Sequence, residues 1–162
     1  MDECATGPGE AIEEKTDAAA IDDLLRYFQF SYKQSSGYKG VGHFKLSGAD
    51  DGGEEVEFCV ACDPEEGVQC HYGEPRDSER PSFTVVMTVN DFLRVYSGQV
   101  CSSELMRMGV SGRIWVNGFA IRAVQQFATS FCYESGTWEA FYEQQAAAGD
   151  AEERKTATAP TP

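Results

Sequence analysis

Ser82-Phe-Thr-Val-Val-Met-Thr-Val-Asn-Asp-Phe-Leu93 changes its apolar period in mid-run. Phe83, Val85, Met87 and Val89 fall on one parity, with Thr84 and Thr88 on the other, which is the pattern of a strand with one buried face. Asn90 then offers an N-cap for a short helix over 91–97, with Phe92, Val95 and Tyr96 on its apolar side and Gly98 at its end. Ser102-Ser103-Glu104 starts a second helix carrying Leu105, Met106 and Met108 up to Gly109. Residues 110–117 read as a further strand bounded by Gly109 and Gly118, with Ile114 and Val116 on one face. Ile121, Val124, Phe127, Ala128 and Phe131 make a long helical stripe, and Trp138, Phe141 and Tyr142 (i, i+3, i+4) form a last docking helix.

Working back from residue 82, the same alternation recurs. Residues 41–47 form a strand ending at Gly48, and the run Ala49-Asp-Asp-Gly-Gly53 is a turn. Val56, Phe58 and Val60 alternate with Glu57, Cys59 and Ala61, and a turn at 63–67 leads to a return strand over 68–73. The simplest connection of these four strands is an antiparallel meander. Ahead of them Ile21, Leu24, Leu25 and Phe28 mark one face of a helix that Asp17 caps and that frays near Ser35-Ser36-Gly37. Residues 1–19 are acidic and small and read as a disordered leader, 20–148 as one folded domain, and 149–162 as a disordered tail.

Composition narrows the partners. The chain has 162 residues, 41% of them apolar, enough for one domain with a sizeable core. Its formal net charge of −14, with 13 scattered Lys and Arg residues, repels nucleic acids and anionic membranes. Nucleic acid is therefore not an expected partner, and membrane contact is expected to be transient. The N-terminus lacks a secretory pattern and no run approaches the roughly 20 apolar residues that span a bilayer. The expectation is an intracellular, cytoplasmic chain whose six cysteines (4, 59, 62, 70, 101 and 132) stay reduced.

The order and spacing of the segments from 82 to 131 resemble the sterol carrier protein type 2 (SCP2-like) lipid-binding domain. Thr84–Leu93 matches that family's strand and its helix opening in Asp-Phe-Leu. Ser97-Gly98, Leu105–Met108, Gly112-Arg-Ile-Trp-Val-Asn-Gly118 and Phe119–Phe131 follow in the family's order, and Val41-Gly-His-Phe-Lys-Leu-Ser-Gly48 stands for its first strand. The resemblance covers residues 20–132. It implies an α+β fold: about five mainly antiparallel strands with helices packed on one face, enclosing a hydrophobic cavity. It also implies a non-catalytic carrier of a sterol, fatty acid or other acyl-chain ligand, without cofactor. Two departures stand out. Trp115 occupies a strand position that is often polar in the family, and Ala159-Pro-Thr-Pro162 is not the peroxisomal address of many eukaryotic members.

The residues give the lipid reading its own physical basis. Phe44, Leu46, Phe58, Val60, Val85, Met87, Ile114 and Val116 share the sheet parity that faces the helices, and Leu24 joins them from the first stripe. The expected ligand wall draws on Leu25, Phe28, Phe58, Val85, Met87, Phe92, Leu105, Met106, Met108, Ile114, Val116, Val124, Phe127 and Phe131. Its methionines are adaptable and polarizable. The bland alternative is that all of these fill an ordinary core, leaving a protein-interaction or accessory module in which Trp138, Phe141 and Tyr142 dock a partner or cap the core.

Covalent chemistry finds little footing. Cys59-Val-Ala-Cys62 and Cys70-His71 are superficially zinc-like, but each pair points to opposite faces of a regular strand, so no metal site is expected. His43 and His71 have outward parity and are expected on the exposed surface. No Gly-x-Ser-x-Gly elbow, His-Glu-x-x-His or phosphate loop is present, and no catalytic residue is assigned.

Overall fold

A computed structural model of the chain describes residues 17–48, 55–117 and 120–157. Helix α1 (Asp17–Ser31) leads through a single 3-10 turn (Gln34–Ser36) into β1 (Gly40–Ser47), β2 (Val56–Asp63), β3 (Gly67–Tyr72) and β4 (Phe83–Thr88). Then come α2 (Val89–Tyr96), α3 (Ser102–Val110), β5 (Trp115–Val116), α4 (Ile121–Thr129) and α5 (Ser135–Ala157). This is the expected α+β architecture. The leader drawn at 1–19 lies outside the described residues as far as residue 16, with α1 beginning at Asp17, and the turn expected at 49–53 also falls outside them. At the other end α5 continues past the boundary drawn at residue 148.

The sheet has the order β3-β2-β1-β4-β5. Strands β1, β2 and β3 form an antiparallel meander, but β4 does not extend it beside β3. It pairs with the far side of β1, in parallel, with Phe44 opposite Val85 and Leu46 opposite Met87. The intervening segment accounts for this. Moving from β3 to β4 crosses three strand spacings, roughly 14 Å, beyond a tight hairpin but within reach of the ten residues 73–82. That crossover runs over the face opposite the helices, and Ser82 anchors its end by donating its backbone N–H to Val41 O at 2.7 Å. Gly42 allows β4 this close to β1, since a Cβ there would stand 2.6 Å from the Phe83 ring.

Side-chain parity divides the two faces as expected. Phe44, Leu46, Phe58, Val60, Val85 and Met87 are buried under α1, α2 and α4, together with Ile21, Leu24, Leu25 and Phe28 of α1. Much of this layer is aromatic. Phe44 stacks on Phe58 at 5.1 Å and meets Phe92 at 5.6 Å, while Phe131 lies 4.8 Å from both Phe28 and Phe127. Phe131 sits past the end of α4, in a β-bridge with Tyr32 that ties α4 back to α1. Trp138 and Phe141 of α5 are buried too. Trp138 stacks on Tyr27 with ring planes 2° apart, so these aromatics cap one end of the core.

Two boundaries and the burial of one side chain differ from the sequence expectation. The N-cap of α2 is Thr88, whose Oγ1 accepts the Asp91 N–H at 3.1 Å, and not Asn90. Val89 is needed inside, so the strand hands directly to the helix. The strand expected over 110–117 shrinks to two residues, because α3 keeps winding through Val110 and Gly112 then turns the chain at φ +77°. Asn117 holds this short strand on β4, its Oδ1 accepting from Thr84 N at 2.8 Å while its N–H donates to Thr84 O at 3.1 Å. Finally, His43 has the outward parity expected of it but is buried. Its Nε2 lies 2.7 Å from Glu57 and its Nδ1 3.3 Å from Thr84 on the flanking strands.

The segment before β5 is tethered by Arg113, whose guanidinium clasps the buried Asp91 carboxylate at the start of α2. Asp91 gains there from the helix dipole as well. Two stability outcomes are expected in urea unfolding. Phe44→Ala costs about 3–5 kcal/mol, the usual range for emptying a packed aromatic site. Arg113→Ala costs about 1–3 kcal/mol, since it strands a buried carboxylate while Arg113 itself is half exposed.

Candidate functional site

Where the aromatic packing stops, the space between the layers opens. Past Phe44 and Phe83 toward the β4–β5 edge the inward positions become aliphatic: Val85 and Met87 on β4, then Ile114 and Val116 around β5. Opposite them stand Val95 and Tyr96 of α2, Leu105 of α3, and Val124 and Ala128 of α4. Gly98, Val100 and Tyr133 complete a cleft of about 300 Å³. Apart from Met87 and the two tyrosines these side chains are short or branched and leave open space, whereas the rings of Phe44, Phe58 and Phe83 fill theirs. The cleft therefore opens where the inward residues of β4 pass from Phe83 to Val85 and Met87.

Polar contacts brace its walls from outside. Arg94 of α2 donates to Glu104 of α3 at 2.7 Å, and Arg113 holds Asp91 next to Ile114. Both Arg residues are partly solvated, so their role is registration of α2, α3 and the β5 segment more than net stability. Inside, the notable group is Tyr133. Its hydroxyl oxygen is buried and has no hydrogen-bond partner among the described residues. Burial, reinforced by the nearby Tyr96, Tyr27 and Cys62 groups, pushes its phenol well above the ordinary tyrosine range, so it stays a neutral donor. The inward thiols behave likewise: burial pushes both Cys62 and Cys70 up to about 12, keeping them protonated.

The expected ligand wall divides in two. Val85, Met87, Leu105, Ile114, Val116 and Val124 come together around the cleft. Leu25, Phe28, Phe58, Phe92, Met108, Phe127 and Phe131 are buried elsewhere in the core, and Met106 is exposed on the outside of α3. Val95, Tyr96 and Ala128 lie on apolar helix faces legible in the sequence but are not among the expected wall residues. Tyr133 and Val100 carried no signal, since both lie in connections outside any periodic run.

No protein-family model matches the chain, and no curated protein matches it by sequence. Solved structures do. A double mutant of a sec-alkylsulfatase superposes over 68% of this chain with a TM-score of 0.52 and 9% identity. This chain spans only 16% of the sulfatase. Sterol carrier protein 2 like 2 from Aedes aegypti is matched over 68% of this chain and 92% of its own, with a TM-score of 0.46 and 17% identity. Apo sterol carrier protein 2 from Yarrowia lipolytica covers 72% and 80%, with a TM-score of 0.42 and 13% identity. At such identities a likeness concerns the fold and nothing finer, here a five-stranded mixed sheet with helices.

Proposed function

We propose that the chain is a non-catalytic lipid-binding protein that holds the acyl portion of a weakly polar lipid in the cleft under β4 and β5. The observation that carries this reading is the buried, unpartnered hydroxyl of Tyr133, a residue that lines a recess otherwise apolar except for Tyr96. An unpartnered buried donor costs about 1–3 kcal/mol, a cost that a ligand hydroxyl or carboxyl placed beside it removes. The cleft volume lies at the lower end of the roughly 300–1,000 Å³ of small-molecule sites, which suits a single acyl segment. Ten buried CH₂ groups contribute about 8 kcal/mol, against an association cost of about 4–15 kcal/mol. The gain exceeds the cost only toward the lower end of that range, so the binding proposed is weak and reversible, as carriage requires.

A second reading draws on the outside of the same region. Met106 and Val110 on α3, with Ile121 at the start of α4, are exposed apolar side chains. They would suit a docking partner for an accessory module with a filled core. Trp138 and Phe141, the aromatics expected to serve such a partner, are instead spent inside the chain.

Native mass spectrometry and displacement of a fluorescent fatty acid separate the two readings. One equivalent of lipid per chain is expected, and Ala128→Phe, which fills the cleft, weakens uptake at least about tenfold, or about 1.4 kcal/mol. Tyr133→Phe is expected to act with opposite signs. It stabilises the ligand-free chain by about 1 kcal/mol and weakens binding of a fatty acid more than of its alkane. A chain that takes up neither probe sinks the lipid reading. Because of the −14 net charge, transfer to anionic vesicles is expected to quicken as salt rises; faster transfer at low salt would contradict that.

A further inference from the structure

The outer face of the sheet, far from the cleft, carries a second constellation. Cys59 on β2 and His71 on β3 are register partners, so their side chains rise from the same face side by side. Cys62 and Cys70 take the opposite parity and point inward, which dissolves the four-residue cluster that the sequence spacing raised. In their place comes Glu79, carried over the sheet by the 73–82 crossover. One ligand-capable atom each from Cys59, His71 and Glu79 lies within 4.8 Å of the others. Cys59 is fully buried, and the His71 and Glu79 side chains are only 16% and 15% exposed.

The hydrogen bonding of His71 tells what such a cluster accommodates. Its Nδ1 faces the Tyr72 carbonyl at 3.3 Å and its Nε2 faces Glu79 Oε2 at 2.8 Å. Both neighbours accept hydrogen bonds, yet a neutral imidazole has one N–H to give. If Nδ1–H serves the carbonyl, the Nε2 lone pair is left facing a carboxylate. A cation resolves that clash, either a second proton on the ring, which makes the Glu79 contact an ion pair, or a metal ion taken up by the same atoms. A backbone carbonyl behind Nδ1 is also the usual outer support of a metal-binding histidine. The Arg76 backbone N–H likewise steadies Glu79 by donating to Oε2 at 3.0 Å.

We propose that Cys59, His71 and Glu79 form a zinc site that pins the crossover to the sheet. One sulfur, one imidazole nitrogen and one carboxylate suit a borderline ion with tetrahedral preference, leaving a fourth position for water. Ligand atoms around zinc stand roughly 3.3–3.7 Å apart at the usual bond lengths, so closure needs about 1 Å of side-chain movement. As the ion enters, the Cys59 thiol gives its proton to solvent and binds as thiolate. A nucleophilic Cys–His–Glu arrangement is the poorer reading. Neither nitrogen of His71 is hydrogen-bonded to the sulfur, and no surface of Cys59 is open to a substrate.

The test uses the full chain, stripped of metal and reduced with a phosphine, titrated with Zn²⁺ by calorimetry and with Co²⁺ by absorbance. One ion per chain, a thiolate-to-cobalt charge-transfer band and a rise in the unfolding midpoint with zinc are expected. Glu79→Gln, on the crossover and without consequence for the core, should weaken zinc at least about tenfold. Cys59→Ser should abolish the cobalt band, whereas Cys70→Ser on the inner face should leave it intact. Absence of uptake by the unaltered chain overturns the proposal. So does a band that survives Cys59→Ser or vanishes in Cys70→Ser, or zinc affinity untouched by Glu79→Gln. None of these readouts involves lipid.

Discussion

Phe44 is the side chain on which the two layers meet. It sits in the central strand and touches rings from both flanking strands and from the helices above: Phe58 and Phe83 in the sheet, then Phe92, Tyr96 and Phe127 at 5.6–5.8 Å. Such ring pairs contribute about 0.5–1.5 kcal/mol each beyond the area they bury. They also set the spacing between sheet and helices. A gap propped open by Phe44, Phe58 and Phe83 is too wide for the neighbouring Val and Ile side chains at the β4–β5 edge to fill. The filled half of the core thus creates the unfilled half, and the cleft needs no special loop to form it.

Much of this was legible because alternation is a strong signal wherever one face is buried. The parity of β1, β2 and β4 placed Phe44, Phe58 and Val85 inward, and the stripe of α1 placed Ile21, Leu24, Leu25 and Phe28. What periodicity does not carry is partnership. Nothing in β4 states that it pairs with β1 and not β3; the clue lay in the ten-residue connection, too long for a hairpin. The same gap explains His43. Parity gave its face, but its burial comes from neighbours contributed by β2 and β4. Local chemistry could also mislead, as when Asn90 looked the better cap until Val89 was required inside. Most of the cleft's sheet wall was visible, whereas Tyr133, whose buried hydroxyl is unpartnered, follows a bridge that only the tertiary structure reveals.

The chain's acidity acts on a different scale from its local ion pairs. A net charge of −14 sets the long-range field, yet the cations near the cleft are committed to short-range tasks, Arg94 to Glu104 and Arg113 to Asp91. Those pairs fix α2 against α3 and the β5 segment, the elements whose separation defines the cleft mouth. Salt therefore screens approach to a charged surface far more than it loosens the cleft, because Asp91 is buried and its contact with Arg113 is direct.

Strand β2 shows how one alternation serves both faces. Its even positions, Phe58, Val60 and Cys62, join the core, and its odd position Cys59 rises beside His71 under the crossover. The crossover is also what delivers β4 to the far side of β1, and β4 supplies Val85 and Met87 to the cleft. A clip between Glu79 and the sheet would hold the segment that hands the chain on to β4, although no group is shared between the two places. The coupling between them would then be one of stability and not of geometry. Tightening the crossover raises the cost of detaching β4, while the cleft walls keep their positions because the Phe44 cluster already sets them.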